Sequence, residues 1–265
     1  MIKGKRILCA GGAGSIGNEL VRQLALDNEI YIIDINETGM YELVEEIGIK
    51  GRVGDIRNKD VLKEMFYDFR PDVVFHAAAL KHVTPNEWNP MEAVYTNIVG
   101  TDNIIQCCKR FNSNLINIST DKVVHAHSIM GMTKKIAEHL VKNAGYISVR
   151  FGNVLGSRGS VLEIWAKQVA EGKPITITDE NMERYTMSIP DAVGSVIKAA
   201  EIGTPGSIVI MDMGISRKII DIKKELYGDY PVEIIGIRPG EVIREELMTR
   251  YERERAIYKD GFYVI

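Results

Sequence analysis

Short, uninterrupted apolar runs alternate along this chain with segments whose apolar residues recur every three or four positions. The runs are RILCA (6–10), IYIID (30–34), GRVGD (51–55), DVVFHAAA (72–79), NLINIS (114–119), YISVRFGN (146–153) and GSIVIMD (206–212). Between them, SIGNELVRQLALD, KDVLKEMFYDF, NPMEAVYTNIVGTDNIIQCCKR and MTKKIAEHLVKN carry helical periodicity. Strands that are apolar throughout are buried on both faces, and the intervening helices supply the cover. The pattern predicts an α/β fold, a doubly wound parallel sheet. After residue 154 the rhythm weakens to a helix-like segment, the β-like PITIT (174–178) and one more covering helix, DAVGSVIKAAE (191–201). The expected division is a sheet domain over 1–153, to which 189–212 returns, and a small C-terminal substrate-binding lobe over 154–188 and 213–265.

CAGGAGSIGNEL sets Gly11, Gly14 and Gly17 directly between the first strand and the first helix. Gly11 permits the tight turn, Gly14 lets a pyrophosphate reach the amides of Ser15 and Ile16 at the helix N-terminus, and Gly17 lets helix and strand pack closely. Asp34 ends the second strand 20 residues after Gly14, where a carboxylate accepts from an adenosine ribose. This is the Rossmann dinucleotide pattern. NAD is expected over NADP, because Asp34 repels a 2′-phosphate and neither Ile35 nor Asn36 brings positive charge. Asp55 and Ile56, after the third strand, are placed for the adenine edge. Ala77, Ala78 and Ala79 either leave room for the cofactor or simply pack strand against helix.

The 265 residues, 45% hydrophobic and 26% charged, suit one domain with a modest lobe. A net charge of -3 gives no electrostatic reason to bind nucleic acid. No stretch approaches the roughly 18 apolar residues of a membrane span, and the N-terminus lacks the features of a signal peptide. Cys9, Cys107 and Cys108 form neither a disulfide framework nor a metal-ligand spacing, so a cytoplasmic location and no metal are expected.

With the glycine spacing, the HAAA strand end, TNIVGT (96–101), ISTDK and a lysine fifteen residues after Ser119, the chain resembles the extended short-chain dehydrogenase/reductases. AAALKHVTPNEWNPMEAVYTNIVGTDN, STDK, MGMTKKIAE, VRFGNVLGSRGSV, ERYTMSIPDAV and RPGEVIREEL narrow the resemblance to the UDP-N-acetylglucosamine 4,6-dehydratases of polysaccharide biosynthesis. The resemblance implies oxidation at C4 of a UDP-sugar, loss of water across C5 and C6, and hydride return to C6, with NAD recycled in each turnover. It assigns the C5 and C6 proton transfers to Asp121 and Lys122 beside Thr120, the nicotinamide ribose to Lys134, and a place near the cofactor to Asn97. It further implies a homodimer or larger assembly through the helices at 91–109 and 130–143.

The wider superfamily has a tyrosine four residues before the lysine, where this chain has Met130, and a methionine carries no proton. Three outcomes stay open. The C4 proton goes to Asp121 or through Thr120 to water, with Met130 an apolar wall; or activity is lost and a nucleotide-sugar binder remains; or Met130 is core and Tyr185 supplies the proton. For the substrate, the resemblance implies contacts from Asn153, Ser157, Arg158 and Ser160, with Arg184 and Arg238 as anion partners. Lys81 either touches substrate or is a solvated lysine, and Glu241 either binds a ribose hydroxyl or forms an ordinary salt bridge. Glu183 replaces the threonine that the family pattern has before Arg184, and His125 and His127 read as two loop histidines without a third metal ligand. A nucleotide-sugar 4-epimerase and a non-catalytic NAD or nucleotide-sugar binder are the rival readings.

Overall fold

Alternation along each strand divides its apolar side chains between two faces. In β1 (Arg6–Ala10), Ile7 and Cys9 join one hydrophobic cluster while Leu8 and Ala10 join another. Ile32 and Ile33 split the same way, as do Phe75 and Val74. Both faces are buried, which is why the runs carry no polar alternation. In the computed structural model, which describes residues 2–265, β1 is joined by β2 (Glu29–Asp34), β3 (Lys50–Val53), β4 (Val73–His76), β5 (Asn114–Ile118), β6 (Ile147–Arg150), β7 (Ile208–Met211), β8 (Ile257–Lys259) and β9 (Phe262–Val264). The order across the sheet is β8-β9-β7-β6-β5-β4-β1-β2-β3. All pairs from β3 to β7 are parallel, and the β7–β9 and β9–β8 pairs at the other end of the sheet are antiparallel. The expected doubly wound sheet is therefore present. Its strand order reverses between β1 and β4, and such a switch point opens a crevice at the C-terminal ends of the strands.

Polar caps fix where the covering helices begin. Asn36, Asn58, Ser128 and Ser188 each accept a backbone N–H at the start of Glu37–Ile47, Lys59–Phe69, Ile129–Asn143 and Ile189–Ile202. Sequence periodicity passed over the first of these helices, although Asn36 at its start and Gly48, left-handed at φ +74°, at its end mark it. The helical stretch expected across 89–110 is three pieces: Pro90–Ala93, a π-helical turn Val94–Gly100, and Thr101–Phe111.

Helix Ile189–Ile202 packs Ala192, Val193, Val196 and Ala199 on the sheet core. A smaller core of Trp165, Ile175, Ile177, Met182, Ile219 and Ile222 lies beyond it, tied by the parallel pairing of Ile175–Ile177 with Val232–Ile234. The tail corrects the expected lobe boundary. Asp260 and Gly261, both at positive φ, form the two-residue turn between β8 and β9, and β9 pairs with β7. The end of the 213–265 segment thus extends the main sheet, and Leu247 and Met248 pack on Ile208 and Ile210. An Asp-Gly hairpin signal was legible there.

Candidate active site

The crevice at the switch point is shaped by absent side chains. A Cβ on Gly11 (φ +83°) would lie 2.5 Å from the Ala78 nitrogen, and one on Gly17 only 2.0 Å from the Gly11 oxygen. Gly14 caps helix Ser15–Leu24 without a side-chain hydrogen bond, which leaves its first-turn amides unclaimed by any capping side chain. A cavity of about 370 Å³ opens there, lined by Gly14, Ser15, Asn18, Arg158 and Pro190 among others. Its roof is the 156–160 loop, whose Arg158 amide donates to Ser15 Oγ at 2.9 Å. A dinucleotide fits this cradle: glycines where a Cβ would clash, free amides, and an acid at the ribose end. Asp34 Oδ2 accepts from the Ala13 amide at 3.0 Å and Oδ1 from Asn36 at 2.9 Å, which binds the glycine loop to the end of β2.

Asp55 is held by Arg57 at 2.6 Å, and Arg57 by Glu92. Burial pushes the Asp55 carboxyl up, but the hydrogen bonds from Arg57 outweigh it and leave it below the usual range. The Ile56 side chain is packed with Ile33 and Phe66 in the core, so only its backbone remains for an adenine. Asn97, on the π-helical turn, grips the loop after β4 from both sides: its Oδ1 accepts from the Leu80 amide and its Nδ2 donates to the Leu80 oxygen. It positions Ala77–Ala79 rather than reaching out itself.

At the end of β5 the chain turns through Asp121–Val123. Asp121 is fully buried, its amide bound to the Phe151 oxygen. Its Oδ1 accepts from Thr120 Oγ1 at 2.9 Å and Lys122 Nζ at 3.0 Å. Its Oδ2 has no partner among the described residues, and a buried carboxylate oxygen without one is an acceptor waiting for a donor. Lys122 Nζ also donates to Asn153 Oδ1 at 2.9 Å and lies 3.6 Å from Glu245 Oε1. Sequence reasoning named Glu241 in the same segment and missed Glu245. Burial raises the Glu245 pKa; Lys122 opposes this and Asp121 adds to it.

On helix Ile129–Asn143, Lys134 sits four residues after Met130, and both are buried. Lys134 Nζ donates to the Ile118 oxygen at 2.6 Å, and burial brings its pKa down to about 8 against the pull of Glu138. His76, also buried, shares a 2.9 Å hydrogen bond between Nε2 and Thr101 Oγ1. Burial, and then the charge of Lys134, hold it neutral at a pKa of about 3. Beneath the site, Glu138 accepts from Ser119 and Arg150, each at 2.6 Å, and Arg150 also binds Glu252 at 3.0 Å. This buried ion network joins β5, β6, the lysine helix and the tail, and periodicity gave no sign of it.

On the substrate side, Lys81 Nζ reaches Ser157 Oγ at 3.3 Å, and Ser160 Oγ is buried without a partner among the described residues. Arg184 corrects the expectation of a free anion contact. Its guanidinium donates to the Glu183, Val242 and Ile243 oxygens, so it fastens the 242–243 segment, and only two of its five N–H donors remain. Arg238 and Glu241 close a local turn, the Arg238 amide donating to the Glu241 carboxylate at 3.2 Å. Glu183 pairs with Arg244 at 2.9 Å, His125 faces Glu246, and Tyr185 packs against the cluster formed by Ile208, Ile210, Leu247 and Met248. A larger cavity of about 540 Å³ lies beside Asp191, Lys198 and Asp212.

A family model described as polysaccharide biosynthesis protein matches residues 7–265. The chain is 39% identical to the probable polysaccharide biosynthesis protein EpsC of Bacillus subtilis over 95% of its own length and 46% of that protein's. It thus spans about half of that relative. It is 34% identical to the UDP-N-acetylglucosamine 4,6-dehydratase (inverting) of Campylobacter jejuni and, equally, 34% identical to the UDP-glucose 4-epimerase of Rickettsia bellii, in each case over 100% of this chain and 84% of the relative. The X-ray structure of Pen from Bacillus thuringiensis superimposes with a TM-score of 0.91 at 33% identity, covering 99% of this chain and 88% of that one.

Proposed function

The chain belongs to the polysaccharide biosynthesis protein family, and from that premise we propose that it is an NAD-dependent nucleotide-sugar 4,6-dehydratase. Its substrate on this reading is UDP-N-acetylglucosamine, and its product a 4-keto-6-deoxy sugar nucleotide. The observation that carries the reading is Asp121: a fully buried carboxylate, one oxygen bonded to Lys122 and the other without a partner among the described residues. An epimerase needs proton transfer only at the C4 hydroxyl. A carboxylate–lysine pair, kept where the tyrosine is not, fits an elimination, which must also take a proton from C5 and give one to the departing C6 hydroxyl.

Bound NAD supplies a hydride acceptor for C4 and a donor for C6. The chain's own residues do the rest. Gly11, Gly14 and Gly17 with the amides of Ser15 and Ile16 receive the pyrophosphate, Asp34 the adenosine ribose, and Lys134 the nicotinamide ribose. Once C4 is a ketone, the C5 proton becomes acidic, and Asp121 is the base while Lys122 attends the C6 hydroxyl. Asn153 orients Lys122. Lys81, Ser157, Arg158 and Ser160 border the diphosphate of the sugar nucleotide. Exposed Met91, Tyr95, Met132 and Ile136 support subunit pairing through the helices at 91–109 and 130–143. No helix of the described residues is long and apolar enough to cross a membrane.

Equal similarity to a named epimerase favours 4-epimerisation as the second reading. Mass spectrometry of the product separates the two: the dehydratase lowers the mass by one water, the epimerase leaves it unchanged, and a pure binder forms nothing. Water loss that persists in Asp121→Asn combined with Lys122→Ala would remove Asp121 and Lys122 from the chemistry.

A further inference from the structure

Resting on the dehydratase reading, we propose that Glu245 is the proton store of the Asp121–Lys122 pair, holding through Lys122 the proton released at the C4 hydroxyl until a later step returns it. The geometry points there first. An ammonium has three N–H donors, and the acceptors around Lys122 Nζ are Asp121 Oδ1 at 3.0 Å, Asn153 Oδ1 at 2.9 Å and Glu245 Oε1 at 3.6 Å. The third contact is an ion pair beyond hydrogen-bond length, which a shift of under about 1 Å closes. The Glu245 side chain is only 10% exposed. Arg184 positions it, by binding the backbone oxygens of Val242 and Ile243 just ahead of it.

The proton count gives the store its purpose. Forming the C4 ketone releases the hydroxyl proton, with the hydride passing to the nicotinamide, and enolisation releases a second proton from C5. Departure of the C6 hydroxyl as water consumes one, and reprotonation of C5, as hydride arrives at C6, consumes the other. Two are released and two consumed, so a closed site must hold them in between. Asp121 holds the C5 proton, Met130 can hold none, and Lys122 is already an ammonium. When Lys122 breaks one Nζ–H bond to form O–H on Glu245, it takes the C4 hydroxyl proton in its place and stays an ammonium. The charged groups facing Glu245 are Lys122, Asp121 and Arg184: the two cations oppose a proton on it, while burial, the largest influence, and the Asp121 carboxylate favour one and prevail.

Single-turnover reduction of bound NAD by UDP-N-acetylglucosamine, followed by absorbance across pH with product masses recorded, tests the assignment. Glu245→Gln keeps the shape but accepts no proton; it should slow C4 oxidation roughly 10- to 100-fold and move the acid limb of the pH profile lower, while Glu245→Asp restores part of the rate. An unchanged rate and profile in a natively stable Glu245→Gln overturns the proposal. If that variant does not fold, Glu245→Asp identifies the Glu245 carboxyl carbon by NMR in the wild type, and titration at or below the ordinary 4.5 overturns it equally. A wild-type product of unchanged mass would overturn the dehydratase reading alone, since epimerisation begins with the same oxidation and the Glu245 effect is read there. No reduction of NAD in the wild type would overturn both.

Discussion

Gly14 and Gly17 belong to one sequence motif, yet adding a methyl to each should fail for different reasons. On Gly17 the new Cβ would lie 2.0 Å from the Gly11 oxygen and 2.8 Å from both the Gly11 carbon and the Gly12 Cα, all of them backbone. Contacts under about 3.0 Å are essentially not tolerated, so helix Ser15–Leu24 must back away from the loop by about 1 Å. Overpacking of this kind costs about 1–3 kcal/mol, and at roughly 2–4 °C per kcal/mol for a chain of this size the Tm of Gly17→Ala should fall by about 2–12 °C. On Gly14 the Cβ meets only the Gly11 oxygen, at 3.3 Å, so Gly14→Ala should unfold within about 2 °C of the wild type. Its methyl nevertheless occupies the approach to the first-turn amides, and NAD affinity should drop at least about tenfold, the equivalent of 1.4 kcal/mol. Differential scanning fluorimetry and calorimetric NAD titration on both variants give the four numbers needed. An unchanged Tm in Gly17→Ala refutes the clash, and unchanged NAD affinity in Gly14→Ala refutes a pyrophosphate at this helix end.

Arg150 is 2% exposed between Glu138 and Glu252, and Arg150→Ala should cost about 3–5 kcal/mol in urea unfolding because it strands Glu138 as a buried charge; Arg150→Met with Glu138→Gln should recover most of that. Lys134 has its folded pKa lowered to about 8 from 10.5, so its protonated form opposes folding and that penalty is relieved as pH rises from about 8 towards 10.5. Function runs the other way: NAD affinity should decline above pH 8 as the ammonium is lost, a decline absent from the weaker-binding Lys134→Met, and a flat wild-type profile between pH 7 and 9 contradicts the ribose role. Met130→Tyr should keep the fold and change the rate of C4 oxidation by less than about tenfold, since the proton already has a route; a larger acceleration in stopped-flow absorbance would mean that route is absent.

What the sequence determined by itself is local. Gly14 and Gly17 read as an approach and a contact because each meets only the loop a few residues before it, and continuous apolar runs announced buried parallel strands because a strand reports its own two faces. Asp121, Lys122 and Lys134 were legible through a motif confined to sixteen residues. Only the tertiary structure decided what long-range packing brings together. Glu245 reaches Lys122 across more than a hundred residues, Arg150 finds Glu138 and Glu252 from three separate elements, and Arg184 turns from anion partner to backbone clamp because the carbonyls of Val242 and Ile243 fold against it. Pairing of a charge is a property of who arrives beside it, and periodicity along one segment carries no record of that arrival.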